Sequence, residues 1–254
     1  MKEFFVWAPN AKHMELVAGG QRLPLAREGD LWRLADGALS PGTDYALSID
    51  GARPLPDPRS RYQPEGVHGP SRWTADKFSW TDAGFRAPPL ASAVLYELHV
   101  GTFGSDGTFD GVIERLGHLQ KLGVTHVELM PVVEFPGERG WGYDGVDLFA
   151  PHHAYGGPEG LKRLVDACHA RGLAVVLDVV YNHLGPDGNY LPQFGPYLTD
   201  EHRTPWGSAV NLDAAHAGAV RRFFVDNALQ WFRDYHVDAL RLDAVHALFD
   251  RSAR

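Results

Sequence analysis

The chain has 254 residues, room for one large domain or two modest ones, and its 44% hydrophobic and 22% charged content is that of an ordinary globular protein. A formal net charge of −8 argues against nucleic acid or an anionic membrane as partner, since both select a basic face, and leaves a neutral substrate unaffected. The single cysteine, Cys168, excludes an intrachain disulfide and is compatible with a reducing compartment.

The opening "MKEFFVWAPNAKHMELV" has no apolar stretch of signal-peptide length followed by small residues, and no run of 18 or more apolar residues occurs, so a cytoplasmic, soluble protein is expected. Residues 1–90 read as an all-β sandwich. Short alternating runs ("EFFVWAP", "HMELVAG", "LWRLADG", "DYALSID") are each closed by Gly, Pro, Asn or Asp. The proline-rich "GARPLPDPRSRYQPEGVHGPSRW" has no helical period and reads as extended or looped. "FRAPPLAS" marks the boundary, because paired prolines block both helix and central strand. Trp7 and Trp32 alternate with apolar neighbours and read as core residues rather than as sugar platforms.

From residue 91 to 254 the period changes. "AVLYELHVGTF" reads as a strand. "TFDGVIERLGHLQKLG" follows as a helix with Phe109, Val112, Ile113, Leu116, Leu119 and Leu122 on one face and Gly123 as its C-terminal stop. "VTHVELMPV" is a strand, and "GPEGLKRLVDACHARG" a helix with Leu161, Leu164, Val165 and Cys168 in register. "LAVVLDVVYNH" is a third strand and "AGAVRRFFVDNALQWFRDYH" a long helix with Val220, Phe224, Ala228, Trp231 and Tyr235 inward. "VDALRLDAV" closes the series as a fourth, buried strand. This β-α-β-α-β-α-β order belongs to a parallel sheet, either open and doubly wound or closed into a barrel. Polar residues gather where strands end: His99 and Thr102, Glu134, Asn182 and His183, Asp243 and His246. That placement favours the barrel, whose strand ends converge on one mouth. Four strands would make half a (β/α)8 TIM barrel, with an unpaired edge on each side and an open inner face.

Three segments carry chemistry. In "LDVVYNH", alternation puts Asp178, Val180 and Asn182 on one face, and an Asp among Leu and Val needs partners. In "LRLDAV", Arg241 and Asp243 share a face. The guanidinium keeps the carboxylate ionised, either for nucleophilic attack on an anomeric carbon or as a plain ion pair that sets strand register. The long "ERGWGYDGVDLFAPHHAYGGPEG" is rich in aromatics and glycine. Trp141, Tyr143 and Tyr155 are candidate platforms for the flat faces of sugar rings, and the alternative is a loop with its own small core. The adjacent His152 and His153 lack the i, i+4 spacing of a helical metal pair and read as hydrogen-bonding or structural.

Together, "GYDG", "DVVYNH" and "LRLDAV" in this order resemble the α-amylase family of glycoside hydrolases, over most of residues 93–254, and the preceding region resembles the N-terminal domain of its branching and debranching members. The resemblance implies a retaining enzyme on α-glucans. Asp243 would be the nucleophile and Arg241 its brace. Asn182 and His183 would lie at the cleaved sugar, Tyr143 beneath it, and Trp141 and His246 in further substrate contacts, with Asp178 structural. In many relatives the Asn ending this motif helps hold calcium. No acidic loop completes such a site here, so neither metal nor cofactor is expected. The family's acid/base glutamate follows a fifth strand that these residues do not contain, so this chain alone is expected to be inactive, the front part of a longer enzyme. "NYLPQFGPYLTDEHRTPWGSAVNLD" and "ALFDRSAR" are similar to members that cleave maltooligosyltrehalose and release trehalose. Branching members instead transfer to a glucan 6-hydroxyl, and a third reading is a non-catalytic glucan-binding fragment.

Overall fold

The computed structural model describes residues 4–34, 39–75 and 77–252. The turn expected at the end of "LWRLADG" lies outside them. Seven short strands come first: β1 (Phe5–Trp7), β2 (Met14–Ala18), β3 (Gln21–Pro24), β4 (Ala26–Glu28), β5 (Leu31–Arg33), β6 (Asp44–Ile49) and β7 (Ser71–Arg72). Among the described residues they form two antiparallel sheets, ordered β1-β5-β4 and β3-β2-β6-β7. Period-2 alternation buries Met14 and Leu16 of β2 and Tyr45 and Leu47 of β6. Trp7 and Trp32 are buried too, as core residues. β3, β4 and β7 were not legible as strands, since they are short, polar edge segments with little apolar alternation.

Four parallel strands follow, β8 (Leu95–Leu98), β9 (His126–Leu129), β12 (Ala174–Val179) and β15 (Ala239–Leu242). Between β9 and β12 lies the hairpin β10 (Val133–Glu134) and β11 (Asp147–Pro151), and after β12 the hairpin β13 (Leu198–Thr204) and β14 (Gly207–Val210). The parallel strands stand side by side in chain order, with no reversal. A doubly wound sheet reverses at its switch point, so this order is that of a barrel wall. Helices α2 (Phe109–Leu122), α3 (Gly157–His169) and α5 (Ala217–Asp234) make the crossovers; α1 (Val100–Phe103) and α4 (Leu191–Phe194) are single turns. α2 starts where the Thr108 side chain accepts from Gly111 N and stops at Gly123, whose left-handed backbone a β-carbon would strain. Phe109, Val112, Leu116 and Leu119 are fully buried, as the period required.

Three expectations are corrected. The strand proposed over "AVLYELHVGTF" ends at Leu98, and Val100–Phe103 turns helical with His99 as its N-terminal cap residue. Leu122, expected on the buried face of α2, is 60% exposed at the last residue of that helix. β15 is not buried: Arg241 and Leu242 are exposed, since no strand pairs its outer edge among the described residues. Apolar side chains of α5 (Val225, Leu229 and Phe232) are exposed as well.

The N-terminal sheets are tied to this wall by two arginines. Arg59 Nη1 lies 3.0 Å from Asp226 and Arg61 Nη1 2.6 Å from Asp234, both acids on α5.

Candidate active site

Asp178 and Arg241 are register partners on β12 and β15, two strands whose inner faces point the same way. Arg241 Nη1 donates to Asp178 Oδ2 and to Asp243 Oδ1, both at 2.8 Å, and so bridges the two carboxylates. Tyr143 OH donates to the same Asp178 oxygen at 2.9 Å. The Asp178 side chain is fully buried. Burial pushes its carboxyl above the ordinary range, and the bonds from Arg241 and Tyr143 only partly oppose this. For Arg241, burial pulls the pKa down, but the bonds to Asp178 and Asp243 outweigh it, so the guanidinium stays charged. Tyr143 is held above its usual value by burial and then by the Asp178 carboxylate it bonds. Asp178 is thus the buried hub, and Asp243, with 17% of its side chain exposed, the more open of the two acids.

Asp243 is anchored through its own amide, which donates to Val179 O at 3.0 Å and so extends the ladder one residue past β15. Ala244 next to it adopts a left-handed backbone (φ 40°), which costs a non-glycine residue roughly 1–2 kcal/mol and turns the chain across the strand end. At the tip of β12, Asn182 and His183 are buried, and Asn182 Nδ2 donates to His183 Nδ1 at 2.8 Å, which leaves Nε2 of the neutral ring to carry the proton. Burial lowers the His183 pKa, against the pull of Asp243 and Asp144. Trp206, in the β13–β14 turn, stacks on His183 (centroids 4.6 Å apart, planes at 11°) and is about half exposed. Sequence reading missed it; its only signal was a tryptophan in a turn.

The glycines around Tyr143 are steric requirements. Gly142 has φ +90°, and a β-carbon there would stand 2.2 Å from Pro131 O. Only glycine lets this turn approach the end of β9 and aim Tyr143 at Asp178. Trp141 is 74% exposed and lines a cleft of about 900 Å³ with His99, Thr102, Arg139 and Tyr155. Asp243 is not among the residues lining that cleft. Tyr155, a candidate platform, is instead buried, its hydroxyl 3.0 Å from His99 Nε2, so it cannot stack on a ligand. His246 is exposed, in the turn Val245–Ala247 whose last residue is buried. The structure therefore brings Asp243, Arg241, Tyr143, Asn182 and His183 to one strand-end face and leaves Trp141 and His246 outside it. Asn182 Oδ1 has no hydrogen-bond partner. Among the described residues, the group of three His, Cys, Asp or Glu side chains close enough to share an ion is Glu134, His152 and His153.

The comparisons agree with this wall. The chain is 53% identical over 258 residues to a malto-oligosyltrehalose trehalohydrolase of Arthrobacter ramosus, a match that covers 99% of this chain and 45% of that protein. The chain thus spans less than half the length of this relative. A crystal structure of an α-amylase candidate from Salmonella typhimurium superposes with a TM-score of 0.95 at 42% identity, over 99% of this chain and 43% of that one. A pullulanase from Paenibacillus barengoltzii, in complex with maltohexaose and α-cyclodextrin, superposes with a TM-score of 0.79 at 27% identity, over 97% and 47%. Residues 72–203, just over half the chain, match the family described as alpha amylase, catalytic domain. With a wall of parallel strands in barrel order and the family's match running through β12 and its tip, the chain belongs to the α-amylase catalytic-domain family.

Proposed function

We propose that this chain is the N-terminal portion of a retaining glycoside hydrolase that cleaves the α-1,4 bond next to a terminal trehalose unit of maltooligosyltrehalose and releases trehalose. In this reading residues 1–90 form a β-sandwich and residues 91–254 supply strands one to four of an eightfold barrel. Asp243 attacks the anomeric carbon. Arg241 holds it ionised and aimed, Tyr143 and His183 flank the sugar, Asn182 positions His183, and Trp141 and His246 reach more distant sugar units. A cytoplasmic location is part of the same reading.

The observation that carries it is the Arg241 bridge, one guanidinium nitrogen shared by a fully buried Asp178 and a partly exposed Asp243. A register-setting ion pair needs only Asp178. The second bond holds an acid at the rim, where a substrate carbon can arrive. The resemblance to a trehalohydrolase over nearly the whole chain supports the substrate. Retaining hydrolysis needs a second carboxyl group about 5–5.5 Å from the nucleophile. The acids on the inner face of β8 and β9, Glu97 and Glu128, stand opposite each other in mid-strand. The family resemblance puts the acid/base glutamate after a later barrel strand, and in this reading this chain alone turns over little or nothing.

Products test the proposal. The chain, extended by the strands its relatives carry, is incubated with maltooligosyltrehalose and with amylose. Trehalose in the first and its loss in Asp243→Asn, with substrate binding retained, is the expected result. New α-1,6 branches on amylose would reassign it as a branching enzyme, and retention on a glucan column without any product as a binding module.

A further inference from the structure

We propose that Glu134, His152 and His153 form a binding site for a divalent transition metal of the zinc class, at the base of the β10–β11 hairpin. Glu134 and His152 have no exposed side-chain surface, and His153 keeps 24%. Glu134 Oε1 lies 2.7 Å from His153 Nδ1 and 3.1 Å from His152 Nδ1, and all three donor atoms lie within 4.8 Å of one another. Glu134 Oε2 is occupied by the His153 amide at 2.8 Å, which leaves Oε1 facing both rings.

His152 provides the second, independent observation. Both of its ring nitrogens are buried and neither makes a well-formed hydrogen bond, although Nδ1 lies 3.1 Å from Glu134 Oε1. Buried polar atoms are nearly always paired, and an exception calls for a missing partner. The ring does not rotate freely to find one: Phe135 stacks on it at 3.9 Å and Tyr155 packs edge-on at 4.8 Å. Its Nδ1 stays 3.1 Å from Glu134 Oε1. Across the hairpin register from Glu134 stands Asp147, whose Oδ2 is also buried without a partner.

Two imidazoles and one carboxylate suit zinc and its neighbours rather than calcium or magnesium, which take oxygen. Donors at about 2.0–2.1 Å from a tetrahedral ion stand about 3.3 Å apart. The His152–Glu134 separation is already near that value, the His153–Glu134 one must lengthen by about half an ångström, and the widest donor pair, up to 4.8 Å, must close by about 1.5 Å, which the partly exposed His153 ring supplies by turning. His153 also provides the way in, beneath Gly66 of the segment between β6 and β7. The ion would clamp β10 to the end of β11 and so fix the loop between them, which carries Trp141 and Tyr143. This departs from the metal-free expectation drawn from the sequence.

The chain as it stands, stripped with a chelator and titrated with Co²⁺ and with Zn²⁺, is expected to take one equivalent, with a visible Co²⁺ d–d band and a rise in Tm with Zn²⁺. His153→Ala, at a partly exposed position, and Glu134→Gln, which keeps the side-chain shape, should each weaken binding at least about tenfold and abolish the Tm response. Sub-stoichiometric uptake, or equal affinity in folded His153→Ala, overturns the site and assigns any uptake to surface histidines. Because trehalose production is not read, failure here leaves the hydrolase assignment untouched.

Discussion

Arg241 and Asp178 face each other across the β12–β15 ladder, and the 2.8 Å bond between them is the deepest ion pair of the strand-end face. Arg241 is 43% exposed and Asp178 fully enclosed, so the pair has one wet and one dry partner. Removing the wet one strands the dry one.

Arg241→Ala is therefore expected to destabilise the chain by roughly 1–3 kcal/mol, the cost of leaving a buried carboxylate short of a donor, toward the lower end because solvent screens the exposed guanidinium. Asp178→Asn in the same background should recover part of the loss. Urea midpoints of the two singles and the double variant measure it; additive losses would mean that the pair is not coupled.

A pH effect is expected at the linker before the barrel wall. Asp82 accepts from His169 Nδ1 at 2.8 Å and His236 Nδ1 at 2.7 Å, and His169 Nε2 bonds Asp238 at 3.0 Å. Phe85 stacks on His169 and Trp80 on His236. Burial pulls the His169 pKa down, but the bonds to Asp238 and Asp82 overcome it and raise it above 6.5. Burial pushes Asp82 up, but its histidine partners bring it below 3.8. A raised histidine contributes stability that is complete below 6.5 and fades as pH rises through its folded pKa. A depressed carboxylate contributes stability that is complete above 3.8 and fades as pH falls through its own. The clasp is strongest between the two. Unfolding free energies from pH 3 to 9 should peak there in the native chain, and Asp82→Asn should lower the peak by about 1–3 kcal/mol and flatten it.

Gly142→Ala should be among the worst single substitutions. The new methyl meets a backbone oxygen at 2.2 Å in a left-handed conformation, so either the turn or the end of β9 must move. A loss of about 2–4 kcal/mol is expected from strain and overpacking together, with Tyr143 pulled off Asp178. Thermal unfolding gives the first; the second shows as a change in tyrosine fluorescence or ring chemical shifts. A near-neutral variant would show the turn to be pliable.

Cys168 lies fully buried on α3, its thiol pushed up to about 12 by burial. Alkylation at pH 8 should be negligible in the folded chain and complete in denaturant, as counted by intact mass. Rapid labelling without denaturant would mean that α3 opens readily.

Trp206→Ala should unmask His183. The ring covers one face of the imidazole, so its removal rehydrates His183 and lets its lowered pKa climb back. An NMR titration of the His183 ring reads this; an unchanged midpoint would place the desolvation elsewhere.

The helices and the parallel strands were readable in the order of residues because their cause is local. A 3.6-residue recurrence puts Phe109, Val112, Leu116 and Leu119 on one side whatever lies beyond, and Gly123 ends the helix by its own backbone freedom. The pairing of Arg241 with Asp243 was readable too, since two residues along a strand return to the same face. Whether β15 is covered was not, because burial of an edge depends on a neighbour and not on its own apolar letters. Nor did any local pattern announce the stacking of Trp206 on His183, the clasp of Asp82 between His169 and His236, or the convergence of Glu134 with His152 and His153. Those partners stand between 18 and 154 residues apart. They meet only because crossover helices return each strand beside the last, and hydrogen bonds and ring contacts act over a few ångströms of space whatever the length of chain between them.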